Sequence, residues 1–369
     1  MRRPIVATEP RVAVVATVRN EAATIDELLR SLLAGRRLPE EIIIVDAGSH
    51  DGTMAALQRW VTQVPYLTVL SRPSCGRSEG RNVAIAATTT PWIAVTDGGV
   101  QLDPGWLEAL VAPVQATPHA PPDVVSGFFQ MAPATLFELA LGATTLPQAR
   151  EVQPDRFLPS SRSVLFSRQA WEAAGGYPAW LDYSEDLVFD LALRRAGARF
   201  VWAPQARAHF RPRRNLGAFF GQYYRYARGD GKALLWPGRH AIRYASYSLL
   251  ALLLLTIIRF GRRPPGLAAC TLVALGAAAY LRAPYRRLVH PEDSSIRPAA
   301  WRGRLQALAW LPALRFTGDV AKMTGYPAGR LWRIRARGSV PLDPTAPHHP
   351  LSVPSPQASE AQPLQGSAP

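Results

Sequence analysis

Asp46 follows four consecutive β-branched residues, Ile42-Ile43-Ile44-Val45, and opens the turn Ala47-Gly48-Ser49-His50-Asp51-Gly52-Thr53. Such a run suits a strand covered on both faces, as in a parallel sheet. Its terminal carboxylate then lies at the carboxyl end of the strand, where open α/β sheets bind ligands. Asp46 is therefore read as a ligand contact, accepting from a base N–H or a ribose hydroxyl, whereas Asp51 and Thr53 are read as turn and cap. Asp97 ends a second apolar run, Trp92 to Thr96, beside Gly98-Gly99. A carboxylate there could hold a divalent cation bridging two phosphates. Ser184-Glu185-Asp186 opens a helical pattern. Acids in a first helical turn are favoured by the macrodipole, and they also suit a general base held over a ligand.

Cations accompany these acids. Gly76-Arg77-Ser78-Glu79-Gly80-Arg81-Asn82 precedes a helix predicted over 82–87, so N–H groups and arginines could meet phosphate oxygens. Gln222-Tyr223-Tyr224-Arg225-Tyr226, with Arg228 and Lys232 beyond, puts cations and aromatics on an amphipathic helix. That helix could clamp a diphosphate or form an interfacial belt. His209 stands alone in Ala208-His209-Phe210-Arg211, a setting in which histidine is more often structural than a ligand.

The elements that must position these residues alternate. Strands are predicted over 11–18, 42–45, 66–70 and 92–96, with helices between them. The first helix carries the apolar stripe Ile25, Leu28, Leu29, Leu32 and Leu33 after a capping box at Thr24-Ile25-Asp26-Glu27. The second helix covers 54–63. Alternation of this kind predicts a mostly parallel, three-layer α/β sheet of Rossmann-like character. Further strands are expected over 124–129, 164–166 and 199–202, and a helix over 184–196.

The chain has 369 residues and a formal net charge of +15, which fits nucleic acid, anionic lipid or an anionic substrate. No zinc finger, RNP-type motif or long basic run supports nucleic acid. Cys75 and Cys270, the two cysteines, are far apart and form neither a CxxC site nor a disulfide framework. Val12 to Val18, ending at Arg19-Asn20-Glu21, reads as the first strand rather than a signal peptide.

Two uncharged stretches follow, 244–258 between Arg243 and Arg259, and 264–281 between Arg263 and Arg282. Each is at or just below the roughly 17–25 residues that span a bilayer, and snorkelling arginines or local thinning would make up the difference. A transmembrane or re-entrant hairpin over 240–283 is expected. Basic residues flank it on both sides and in its connection, which blunts the positive-inside argument for orientation. Residues 284–340 form a basic juxtamembrane segment. Within it, 301–335 mixes Trp301, Leu305, Leu308, Trp310 and Leu314 with many arginines, as interfacial helices do. The Pro-rich tail, 341–369, reads as disordered.

The order of Val18-Arg19-Asn20-Glu21, Val45 to Thr53, Gly80-Arg81-Asn82, Val95-Thr96-Asp97, Gly175-Gly176-Tyr177, Ser184-Glu185-Asp186 and Gln222 to Tyr226 resembles the family-2 glycosyltransferases of bacterial membranes, whose fold is called GT-A. The resemblance covers about residues 11–232, the expected catalytic domain. It implies Asp186 as catalytic base with Glu185 beside it, and donor contacts from Asp46, Glu21, Arg81, Asp97, Gln222 and Arg225. It also implies a divalent cation, Mg2+ or Mn2+, at Asp97. Gly99 stands where the family's second metal-binding acid would be, leaving His209 or Asp103 to compensate, or Arg and Lys alone. Tyr226 replaces the Trp of processive members, which favours single-sugar transfer.

The expectation is an inverting glycosyltransferase of the inner (plasma) membrane with a cytoplasmic catalytic domain. It would move a sugar from a nucleotide-diphosphate sugar to a lipid-linked or membrane acceptor in cell-envelope glycan or glycolipid synthesis. The alternatives are a nucleotidyltransferase on a similar sheet and a catalytically inactive membrane-bound binding protein.

Overall fold

Strand β1 (Val12–Val18) is bracketed by β2 (Glu41–Asp46) and β4 (Trp92–Val95), and β3 (Leu67–Ser71) lies outside β2, all parallel. Successive side chains of a strand face opposite sides, and here both sides are apolar. Val12, Val14, Ala16, Ile42 and Ile44 share one core with Leu28, Leu57 and Trp106. Val15, Ile43, Val45, Ile93 and Val95 share another with Ile85, Phe166 and Phe189. Helices α1 (Ile25–Leu33), α2 (Thr53–Val61) and α4 (Trp106–Ala116) cover the first face. The second is covered by α3 (Arg77–Ala87), α6 (Arg168–Ala174) and α7 (Glu185–Arg195). The computed structural model describes residues 9–292, 301–336 and 338–346.

Beyond β4 the sheet becomes mixed. Its eight strands run in the order β3-β2-β1-β4-β7-β6-β8-β5, where β5 is Val100–Leu102, β6 Val124–Met131, β7 Val164–Ser167 and β8 Phe200–Phe210. Strand β7 pairs antiparallel with β4 and β6, and β5 with β8. Only residues 96–99 separate β4 from β5, too few for the crossover of about a dozen residues that a parallel neighbour needs.

Three local expectations change. Thr24 caps α1 without a side-chain bond to its amides; its hydroxyl donates to Glu21 Oε2 at 2.5 Å instead, so no capping box forms. Helix α3 begins at Arg77 rather than near Asn82, so the presumed loop is its first turn and a half. Gly80 is needed inside it, because a Cβ there would lie 2.4 Å from Thr17 Cγ2 on β1. Strand β8 runs eight residues past the expected end at 202, its alanines at 203, 206 and 208 buried against the first core.

The described residues of Met1–Gln130, Val152–Phe210 and Pro341–Pro369 make one compact unit, and those of Met131–Glu151 and Arg211–Val340 another. The expected catalytic domain over 11–232 is thus shared between them. The second unit is helical: α5 (Leu136–Thr145), α8 (Leu216–Lys232), α9 (Pro237–Phe260), α10 (Pro264–Val289) and α11 (Trp301–Arg335). Leu141, Phe219, Leu288, Leu311 and Leu314 form its core. Glycines let α8 and α11 touch backbone to backbone: a Cβ on Gly325 would sit 2.3 Å from Tyr224 O, and one on Gly329 2.1 Å from Arg228 O.

Helices α9 and α10 are long and apolar enough to cross a membrane. At 24 and 26 residues they extend the expected spans at their outer ends, reaching about 36 and 39 Å at about 1.5 Å per residue. They join through Gly261, which adopts φ 54°, and Leu252, Leu255 and Ile258 on α9 are 60 to 80% exposed. Of the expected disordered tail, Asp343 accepts from Arg195 of α7 and from Thr345 N at 3.0 Å; residues 347–369 lie outside the described residues.

Candidate active site

The ends of β1 and β2 are stitched together by the motifs that follow them. Asn20, at φ 56°, donates its N–H to Ser49 Oγ at 2.8 Å and accepts from His50 N at 2.9 Å. Glu21 N donates to Thr53 Oγ1 at 2.8 Å, and Ala22 N to Asp51 Oδ2 at 3.1 Å. Asp51 also accepts from Thr53 N at 3.1 Å, the capping role expected of it. Asp46 is 3% exposed, and its Oδ2 closes the turn by accepting from Gly48 N at 3.2 Å and Ser49 N at 3.0 Å. Its carboxylate therefore has a structural duty, closing the turn at the strand end.

At the centre Arg81 joins two acids. Its Nη2 lies 2.8 Å from Asp97 Oδ1 and its Nη1 3.0 Å from Glu185 Oε1. Arg81 and Glu185 side chains are 3% and 5% exposed, Asp97 31%. The guanidinium rests 5.2 Å from the Tyr177 ring, whose hydroxyl bonds Ser161 Oγ at 3.1 Å. Asn82 holds that tyrosine by its backbone, accepting from Tyr177 N at 2.9 Å and donating to Tyr177 O at 2.8 Å. Gly175 and Gly176, both at positive φ, make the turn that allows this.

The charges respond to this packing. Burial raises the Asp97 carboxyl, but Arg81, Arg162 and Arg77 together outweigh it and hold the group below the ordinary range. Glu185 is pushed up, first by burial and then by the charge of Asp186, against the opposing pull of Arg81 and Arg77. Asp190, one turn beyond Asp186 on α7, is raised well above the ordinary range by burial and by Asp186, and its Oδ2 has no hydrogen-bond partner. Asp186 itself is half-buried at the helix start, where its Oδ1 accepts from Leu187 N at 3.0 Å.

Arg162, just before β7, belongs to none of the motifs. Its Nε lies 3.6 Å from Asp97 Oδ2, its Nη1 donates to Ser160 Oγ at 3.1 Å, and its guanidinium lies 4.7 Å from the Phe210 ring and 5.5 Å from that of Phe129. No motif flags it, because the chain reaches Asp97 from a point 65 residues away.

The residues do not fit a divalent cation. Asp97 has an arginine against each oxygen. A doubly charged ion about 5 Å from each guanidinium would be opposed by roughly 7 kcal/mol apiece at an effective dielectric of about 20. Gly99 offers no side chain, and a Cβ there would lie 3.4 Å from Glu21 Oε2, so the Glu21 carboxylate lines the place of the second acid. His209 pairs with Asp103, Nε2 to Oδ1 at 2.7 Å. Among the described residues no three His, Cys, Asp or Glu side chains group as metal ligands.

Gln222 and Arg225 lie on α8, in the other unit. Gln222 Nε2 donates to Tyr226 OH at 2.8 Å, and Arg225 Nε to Gly221 O at 3.0 Å.

A mixed sheet with a parallel half, acids at its strand ends and an acidic pair opening α7 has the GT-A fold. The chain belongs to family 2: the pattern "Glycosyl transferase family 2" matches residues 13–158, and "Glycosyl transferase family group 2" matches 148–284. It is 29% identical over 234 residues to the succinoglycan biosynthesis protein ExoA of Rhizobium meliloti (strain 1021), covering 60% of this chain and 69% of that one. Over 225 residues it is 26% identical to the N-acetylglucosaminyl-diphospho-decaprenol L-rhamnosyltransferase of Mycobacterium tuberculosis (strain CDC 1551 / Oshkosh), covering 52% and 73%. Its fold is similar to the mannosyltransferase PcManGT from Pyrobaculum calidifontis, solved with GDP-Man and Mn2+, at a TM-score of 0.57 and 20% identity over 86% of this chain and 88% of that one. The chain is thus a glycosyltransferase. The nucleotidyltransferase alternative is set aside.

Proposed function

We propose that this enzyme moves a sugar, with inversion, from a nucleotide-diphosphate sugar to a hydroxyl or phosphate of a membrane-associated acceptor in cell-envelope glycan or glycolipid synthesis. The observation that carries the chemistry is the division of labour at the start of α7. Glu185 is buried and committed to Arg81, while the adjacent Asp186 is half-buried and outside that ion pair. Asp186 takes the proton of an acceptor hydroxyl as its oxygen bonds the anomeric carbon. The bond from that carbon to the diphosphate oxygen breaks on the opposite face, and the diphosphate leaves with the electron pair. Asp46 and Glu21, at the ends of β2 and β1, contact the donor nucleotide.

A GT-A enzyme solved with a nucleotide sugar and Mn2+ supports a nucleotide-sugar donor; the Mn2+ belongs to that enzyme, and the arginines against Asp97 do not fit one here. A relative named as an N-acetylglucosaminyl-diphospho-decaprenol L-rhamnosyltransferase supports a lipid-linked acceptor. The two apolar helices support membrane attachment, which raises the effective concentration of a membrane-borne acceptor. In this reading the anchoring membrane is the inner one and the sheet-bearing unit is cytoplasmic.

The test is transfer by the detergent-purified protein from a panel of nucleotide sugars to lipid-linked acceptors. Asp186→Asn should lower turnover by roughly 100-fold or more. Affinity for the donor nucleotide should change less than about threefold. Undiminished turnover removes Asp186 as the base.

A further inference from the structure

Asp97, the residue on which a metal would depend, is held by arginines, and these arginines are not alike. Arg81 is buried and meets Asp97 at 2.8 Å, the spacing of a fixed charge-assisted bond. Arg162 is 21% exposed and stands 3.6 Å from the other oxygen, longer than such a bond. Its guanidinium is kept in place by Phe210, Phe129 and Ser160 rather than by Asp97 alone. A third cation, Arg77, is exposed in the first turn of α3, its guanidinium 4.9 Å from the Tyr183 ring.

We propose that Arg162, assisted by Arg77, takes the place of a divalent cation at the donor diphosphate, so that donor binding by this enzyme is independent of metal. The inference rests on the nucleotide-sugar reading above. Asp97 then acts as a positioning residue that steers Arg162. A guanidinium presents two N–H groups in a plane that matches two phosphate oxygens. Because stacking already restricts Arg162, little side-chain freedom is lost on binding. As the bond to the sugar breaks, the growing charge on the diphosphate meets cations that need not reorganise. The same arrangement explains Gly99: an acid there would add a second carboxylate beside Glu21 where an anion is to bind.

The experiment uses the full chain in detergent with UDP, GDP, ADP and dTDP as probes, each titrated in EDTA and in Mn2+, and read by calorimetry and thermal shift. The expected result is that at least one diphosphate binds, with a dissociation constant that differs less than about threefold between the two media. Arg162→Ala should weaken that binding in EDTA by roughly tenfold or more, and Arg162→Lys should restore part of it. Binding seen only with Mn2+, or equal affinity of Arg162→Ala and wild type in EDTA, overturns the proposal and leaves the donor reading intact. Failure of every diphosphate in both media overturns the donor reading as well. Should Arg162→Ala not fold, the comparison of EDTA with Mn2+ in the wild type still decides.

Discussion

Arg81 Nη1 lies 3.0 Å from Glu185 Oε1, and both side chains are almost wholly buried. Through this pair α3 is bound to the first turn of α7, and the second fork of the same guanidinium binds the end of β4 at Asp97. One side chain therefore fixes the relative placement of the strand-end acid and the acidic pair. Replacing it with alanine would leave Glu185 buried without its counter-ion, a loss of roughly 3–5 kcal/mol. Arg81→Ala is expected to unfold at a much lower temperature than wild type. Arg81→Lys should recover only part of the loss, because an ammonium cannot serve both carboxylates in one plane. A melting temperature within a degree or so of wild type for Arg81→Ala would show that the pair does not hold α3 to α7.

Asp190 makes a pH-dependent prediction. Burial, and then the charge of Asp186, raise its carboxyl, Arg194 opposes them, and the Tyr177 hydroxyl lies within its electrostatic reach. The native state thus binds this proton more tightly than the unfolded chain. Its contribution to stability is complete below the unfolded carboxyl value, about 3.9, and is lost as pH climbs toward the raised native value, at about 1.4 kcal/mol per pH unit. Asp190→Asn carries no such proton. Its stability relative to wild type should grow between pH 5 and pH 8, as followed by thermal unfolding across that range. A constant difference would mean that Asp190 is ionised throughout.

The parallel half of the fold was legible because each strand there is a continuous apolar run closed by a turn. Ile42 to Val45 and Trp92 to Val95 are buried on both faces, as their composition requires. The far half was less so. Strand β8 contains Pro204 and three alanines, poor strand formers, although those alanines are buried in the first core with Trp106. Motif spacing singled out Asp97, Glu185 and Asp186 but could not show that Arg81 bridges the first two. Nor could it bring Arg162 to Asp97, because that contact depends on β7 lying beside β4.

Asp319 on α11 is the polar centre of the helical unit. Its Oδ1 accepts from Arg243 Nε on α9 at 2.9 Å, and its Oδ2 from Tyr280 OH on α10 at 2.5 Å and Tyr247 OH on α9 at 3.3 Å. One carboxylate ties both apolar helices to the basic helix that follows them. Asp319→Ala removes three donors' acceptor and leaves Arg243 largely buried without its partner, at a cost of roughly 2–4 kcal/mol. Thermal unfolding in detergent should register the loss. Asp319→Asn, which can still accept hydrogen bonds, should fall between.

The crossing of α8 and α11 makes the sharpest steric prediction. Gly325 and Gly329 occupy one face of α11 a turn apart, and the carbonyls of Tyr224 and Arg228 lie where their side chains would begin. Unlike a flexible side chain, a backbone oxygen inside a helix cannot step aside, so any β-carbon must push the helices apart. Gly325→Ala already adds an atom 2.3 Å from Tyr224 O, and Gly325→Val adds two more beyond it. Separation would loosen the contacts of Phe219 with Leu311 and Leu314 in the core of that unit. The alanine variant should lose roughly 1–3 kcal/mol and the valine variant more, as expected for overpacking of a close contact. Gly276, on α10, has open space around its Cβ position and provides the control: Gly276→Ala should leave stability unchanged or slightly raised, since alanine favours the helix by about 1 kcal/mol. Equal melting temperatures for Gly325→Ala and Gly276→Ala would refute the close crossing of α8 and α11.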